Sequence, residues 1–215
     1  DALDVSLTTG GFAVGGGAVG AGVGVLTVDT GSSAQIIGSG ATVTAGGVNV
    51  KAFTNHLLKG RSYAGAAGAS IAISADAAVF KDKSRTSAFI QAGTLAVSGG
   101  VNVNADAKRE IDLVGVGVSV SGLAGVGASI ATAEISGTVN AYIKNTTIGS
   151  EGVRATSTTV SAKSDDKAVA KATAAGGGVG VALQGAGSTA DVKPIVTATL
   201  SNSNVYTSSA VTVSA

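Results

Sequence analysis

Cysteine, methionine and tryptophan are absent from these 215 residues, and there is one proline and one histidine. Without cysteine the chain has no disulfide, no zinc–thiolate centre and no thiol nucleophile. Aromatic residues make up 3% and charged residues 13%, so few large side chains exist to fill a thick globular core. The 14 Lys and Arg nearly cancel the 13 Asp and Glu. A nucleic-acid binder needs a basic stripe and stacking aromatics, so no nucleic-acid partner is expected. No secretory leader is recognisable. The chain opens at Asp1, which reads as a processed or excised segment. His56 stands alone, and no Cys–His or repeated His pattern marks a metal site. It is expected to be a surface or packing residue, and no cofactor is expected.

What is present is glycine, 33 residues, with Ala, Val, Ser and Thr filling most of the remainder. Disorder by composition needs low hydrophobicity and high net charge. Here hydrophobic residues are 45% and the net charge is +1. The apolar surface must therefore be buried through many small contacts, which thin stacked β-layers provide because small residues let sheets approach closely.

The chain repeats itself. Val48-Asn49-Val50-Lys51-Ala52, Val101-Asn102-Val103-Asn104-Ala105, Thr158-Thr159-Val160-Ser161-Ala162 and Val211-Thr212-Val213-Ser214-Ala215 end on alanines 53, 57 and 53 residues apart. A second landmark, Ala34, Ala88, Ala141 and Ala198, is spaced by 54, 53 and 57. Two markers with one period define four units of about 53–57 residues, over 1–52, 53–105, 106–162 and 163–215. Each unit opens with a Gly/Ala/Val tract and ends on the Val-x-Val-x-Ala segment. A charged patch follows: Lys51 to Arg61, Asp106 to Asp112 and Lys163 to Lys171.

The period within a unit is two. Val114, Val116, Val118 and Val120 alternate with Gly115, Gly117, Ser119 and Ser121, the pattern of a strand with unlike faces. Helices are disfavoured by the glycine content, at about 1 kcal/mol each in a helix interior. Gly16-Gly17, Ser121-Gly122 and Gln184-Gly185 are expected to bend the long tracts into two strands. The tract Gly68-Ala69-Ser70-Ile71-Ala72 recurs unchanged at Gly127-Ala128-Ser129-Ile130-Ala131. Taken as equivalent, the two imply extra residues near Phe80 to Arg85. Lys81, Asp82, Lys83 and Arg85 are then expected to form a projecting loop, a solvated turn or an interaction loop.

A unit with a Gly/Ala-lined face cannot bury it alone, and stacking along an axis solves this. The expected fold is all-β: a β-solenoid of about four stacked units. Asn49, Asn102, Thr159 and Thr212 should form one polar column. Val50, Val103, Val160 and Val213 should form an apolar one, and Ala34, Ala88, Ala141 and Ala198 another. Immunoglobulin-like sandwiches usually carry a larger aromatic core and do not explain the period. Gly11–Val28 is 18 uncharged residues, close to a membrane span, but the matching tracts are Gly/Ser-rich and one carries Asp76. No membrane insertion is expected. Both ends look like inner units, so the segment is expected to be cut from a longer chain or to associate end to end.

Catalytic machinery is hard to find, and no enzyme is expected. Gly15-Gly16-Gly17-Ala18-Val19-Gly20 matches G-x-G-x-x-G formally but lacks the helix that motif needs. The calcium pattern of repeat-in-toxin solenoids is missing. Glycoside cleavage needs two carboxylates across one bond. Asp106 and Asp165/Asp166 sit in comparable parts of adjacent units, but with Lys108, Arg109 and Lys167 they read more simply as a mixed-sign rim at strand ends. The aromatics Phe12, Phe53, Tyr63, Phe80, Phe89, Tyr142 and Tyr206 form no evident sugar platform. Flat threonine arrays for ice or mineral binding would need register mates for Thr42-Val43-Thr44 that are not consistently threonine pairs.

The repeated Gly-Ala-Ser-Ile-Ala tracts, Gly137-Thr138-Val139-Asn140-Ala141-Tyr142-Ile143 and the following Thr159-Val160-Ser161-Ala162 resemble the repeats of leukotoxin-type and filamentous-haemagglutinin-like bacterial surface adhesins. The resemblance covers essentially the whole chain and is one of repeat style, not of a site motif. It implies a β-solenoid shaft, an extracellular or cell-surface location, and roles in adhesion, cell contact or toxin delivery. The expected function is a structural or adhesive scaffold. Its expected partners are further copies or more of the same chain, and a host or neighbouring-cell surface. The alternative is a carbohydrate-active β-helix with a carboxylate cleft.

Overall fold

The computed structural model describes residues 2–215, with Ser39 and Ala92 described in backbone only. Strands account for 83% of the chain, and the described residues contain no helix. No helix is therefore long and apolar enough to cross a membrane. In chain order the strands are β1 (Ala2–Val28), β2 (Gly31–Ala45), β3 (Val48–Asp82), β4 (Arg85–Val97), β5 (Val101–Ser121), β6 (Ala124–Ile135), β7 (Thr138–Lys144), β8 (Thr147–Ile148), β9 (Thr158–Gly177), β10 (Val181–Val192), β11 (Ile195–Ser201), β12 (Asn204–Val205) and β13 (Val211–Ser214).

All described pairings are parallel, and they form two sheets. The larger, curled sheet holds β1, β3, β5, β6, β9, β10 and β13; the smaller holds β2, β4, β7, β8, β11 and β12. Registers follow the sequence period. Ala2 pairs with Asn55, Val48 with Val101 and Ala124 with Ile71, each 53 residues apart. Val101 pairs with Thr158 and Ala124 with Val181, each 57 apart. Successive strands set Asn49, Asn102, Thr159 and Thr212 side by side, and likewise Val50, Val103, Val160 and Val213. On the smaller sheet Ala34, Ala88, Ala141 and Ala198 are aligned in the same way.

Val50, Val103, Val160, Ala88 and Ala141 meet in one core between the two sheets, with Ala34 and Ala198 partly buried against it and Val213 exposed. Ile90, Leu95, Ile143 and Ile148 are buried in the same core. A second core lies inside the curled sheet, where Leu58, Ile111 and Leu113 pack against Phe80, Ala131 and Ile135.

The Gly/Ala tracts explain how the curled sheet folds back on itself. The bend comes at a register shift between Gly15 and Gly17 in β1, at Gly122-Leu123 between β5 and β6, and at Gly178–Gly180 between β9 and β10. The third bend differs from expectation: Gln184-Gly185 lies inside β10. Beyond each bend the strand returns so close to its own first half that at particular glycines no Cβ fits. A Cβ on Gly117 would stand 2.2 Å from the Ala128 carbonyl oxygen, and one on Gly11 only 1.9 Å from that of Ala21.

Two further expectations are corrected. The two identical Gly-Ala-Ser-Ile-Ala tracts are not equivalent: Ala75, not Ala69, pairs with Ala128. Five identical small residues carry little positional information in a tract built of such residues. The inferred extra residues near Phe80 therefore do not exist. Lys81 and Asp82 are the last residues of β3, Lys83 belongs to a two-residue link, and Arg85 opens β4, all without a projecting loop. The length difference between units falls instead in residues 149–157, a turn in which the Ser150 N–H donates to the Val153 carbonyl. Gly149 there has φ of 71°. Asn145 (φ 53°) and Asn202 (φ 47°) turn matching corners of adjacent units, a left-handed backbone that asparagine tolerates.

Candidate functional site

Where the chain leaves the returning limb of the curled sheet and enters the smaller sheet, the corner is polar inside. Inward positions of β3, β5 and β9 bring His56, Arg109 and Asp166 into line. Each belongs to the charged patch that follows a Val-x-Val-x-Ala segment. These patches are not turns or strand-end rims: the strands run straight through them. Alternation then sends every second residue inward.

His56 is buried. Its Nδ1 lies 2.8 Å from Asp82 Oδ2 and its Nε2 3.3 Å from Thr30 Oγ1. The Ser84 N–H donates to Asp82 Oδ1 at 2.9 Å. Burial acts to raise the Asp82 pKa, but the hydrogen bonds from His56 and Ser84 outweigh it and hold the carboxyl below its ordinary value. Arg109 is fully buried one strand along. Its Nε donates to Asp166 Oδ1 at 2.8 Å, and Nη2 donates to Asp166 Oδ2 at 3.0 Å and to Ser164 Oγ at 2.7 Å. Nη1 reaches the Ser84 carbonyl at 3.3 Å. A Cβ on Gly137 would lie 1.6 Å from Nη1, so glycine there leaves room for the guanidinium. Thr30, His56 and Asp82 form a hydroxyl–imidazole–carboxylate chain in which His56 is only 1% exposed and Thr30 is half-buried, so each imidazole nitrogen has a polar partner.

A second buried carboxylate, Asp76, lies inside the curled sheet. Ser62 and Ser129 donate to it, and Thr9 donates to Ser62. Burial dominates here and raises the Asp76 pKa despite the serine hydrogen bonds.

Outward residues of the same strands form a ladder of opposite charges. Asp106 pairs in register with Lys163, Lys108 with Asp165, and Glu110 with Lys167, whose ammonium lies 3.0 Å from Glu110 Oε1. Arg61 bridges Asp112 at 2.9 Å, and Lys81 bridges Glu134 at 2.9 Å. Phe53, Asp106, Lys108, Lys163 and Asp165 line an open depression of about 260 Å³. Asp106 and Asp165 thus share one surface, each beside a lysine, whereas Asp166 is turned inward to Arg109. Among the described residues no group of three or more His, Asp or Glu is placed to hold a metal ion.

Of the residues singled out from the sequence, Asp82 lies in the interior, and Lys81 joins a half-buried ion pair with Glu134. The buried roles of His56, Arg109 and Asp166 follow from strand parity: Thr54, His56 and Leu58 share the inward face with Val50 and Ala52. Phe89 and Tyr142, two of the aromatics in which the sequence shows no evident sugar platform, are register partners. No family model, curated protein or solved structure matches this chain.

Proposed function

We propose that the chain is a segment of a β-solenoid shaft, a structural or adhesive scaffold of a long bacterial surface or secreted filament. The observation that carries this reading is the recurrent offset of 52–57 residues in the parallel pairings of both sheets. A chain that adds one unit per period along one axis gains length and lateral surface and leaves strand edges at its ends. Among the described residues β1 and β2 have no strand on their outer sides, and β10, β11, β12 and β13 are likewise edge strands. Unpaired edges pair readily with further strands, so axial continuation, by more of the same chain or by another copy, is the proposed mode of assembly. Display on a cell surface and contact with a host or neighbouring cell are the proposed setting.

A carbohydrate-active domain with a carboxylate cleft is the competing reading. The depression around Asp106 and Asp165 is the observation that favours it. Against it, each carboxylate has a lysine as its register partner, an ion-pair ladder and not two carboxylates flanking an open gap. Electron microscopy of the purified chain with two-dimensional averaging tests the proposal. Rods or filaments whose strands stack at about 4.8 Å along the axis are expected. Compact particles without axial stacking would overturn it.

A further inference from the structure

Phe89 and Tyr142 stack with ring centroids 4.6 Å apart and planes within 6°. Phe89 therefore covers one face of Tyr142. On the other side the register partner of Tyr142 is Thr199, and the column of rings ends at that step. An open depression of about 310 Å³ lies there, with Tyr142 in its wall and Thr197, Thr199, Ser201, Asn140 and Lys144 around it. These residues lie two apart on β7 and β11, so alternation directs them to one outer face.

The chemistry of this depression is specific. It offers a flat aromatic face, an amide, three hydroxyls and an ammonium, and no carboxylate. Lys144 is exposed and joins no ion pair among the described residues. A pyranose has a C–H face that stacks on an aromatic ring, and hydroxyls that need both donors and acceptors. An unpartnered ammonium beside it selects for a negative group on the sugar. The volume is at the lower end of ligand cavities, the size of a single ring. We propose that this step is a binding site for a hexuronate unit of an acidic polysaccharide, stacked on Tyr142 with its carboxylate on Lys144. The site adds a ligand to the adhesive reading. It needs the register of β4, β7 and β11 but not filament formation, so binding can fail while filaments form, and the reverse.

Calorimetric titration of the intact chain with hexagalacturonate, with cellohexaose as the neutral comparator, tests this. Saturable binding of hexagalacturonate in preference to cellohexaose is expected. Tyr142→Ala should weaken it about tenfold, and Tyr142→Phe should retain it. Lys144→Gln should abolish the preference for the acidic sugar. Thr199→Phe extends the ring column over the open face of Tyr142 without removing it. That variant should lose binding while melting no lower than the parent, which guards against misfolding of the alanine variant. Absence of binding to both sugars, or binding unchanged by Thr199→Phe, would overturn the site. Equal binding of both sugars would overturn the assignment to an acidic one.

Discussion

Arg109 is the largest fully buried side chain among the described residues. Its guanidinium and the Asp166 carboxylate are both withdrawn from water, so each is tolerated only because the other is present. Removing one partner of a buried pair typically costs roughly 3–5 kcal/mol, whereas replacing both by apolar groups is often neutral. Arg109→Leu is therefore predicted to destabilise by about that amount in urea unfolding, and Arg109→Leu combined with Asp166→Leu to recover most of it. The two other buried carboxylates make opposite predictions about pH. The folded-state pKa of Asp82 is depressed, so its stabilisation is complete above the ordinary value of 3.8 and is lost as pH falls through the lower folded value. The folded-state pKa of Asp76 is raised, so its contribution is present below 3.8 and is lost as pH rises through the folded value. Asp76→Asn, which mimics the protonated form, should raise the melting temperature at pH 7 and have no such effect below pH 3.8. Asp82→Asn should lower it at pH 7. Thermal melts across pH distinguish the two.

At the scale of the element, the glycines of the curled sheet divide into two kinds. Those facing the opposing limb, such as Gly117 and Gly127, have no room for a Cβ, which would meet a backbone carbonyl at 2.2 and 2.3 Å. Gly185 on β10 would meet nothing within 4 Å. Gly117→Ala is predicted to destabilise by about 1–3 kcal/mol through overpacking. Gly185→Ala should be neutral or slightly stabilising, because it restricts the unfolded chain at no native cost. Equilibrium denaturation of the two variants checks the contrast. The same division limits what a reader of the sequence can extract. The all-β character was legible from the alternation of Val114 to Ser121, and the period from the Ala52-type and Ala34-type landmarks. The bend after Gly177 was not, because Gln184-Gly185 and Gly178–Gly180 look alike in composition and only packing against the opposite limb separates them. Nor was the true equivalence of the Gly/Ala tracts, since a six-residue slip keeps small residues opposite small residues. The inward turn of His56, Arg109 and Asp166 could have been inferred by counting parity from Val50, Val103 and Val160. Charge pointed to the surface, and parity pointed to the interior. The interior prevailed because each charge found a partner one strand or one corner away.

For the whole molecule, the central claim is that each unit of 53–57 residues advances the chain by one strand spacing along a single axis. Asn49, Asn102, Thr159 and Thr212 sit on four successive strands of one sheet and face outward, which makes them a ruler for that advance. The chain has no cysteine of its own, so paired cysteines at these positions label cleanly. Spin labels on the pairs Asn49/Asn102, Asn49/Thr159 and Asn49/Thr212 should report backbone separations that grow in steps of about 4.8 Å, read as dipolar broadening that weakens in that order. Separations that do not increase in sequence order, or labels in adjacent units too far apart to broaden one another, would contradict the stacked arrangement and the scaffold reading built on it.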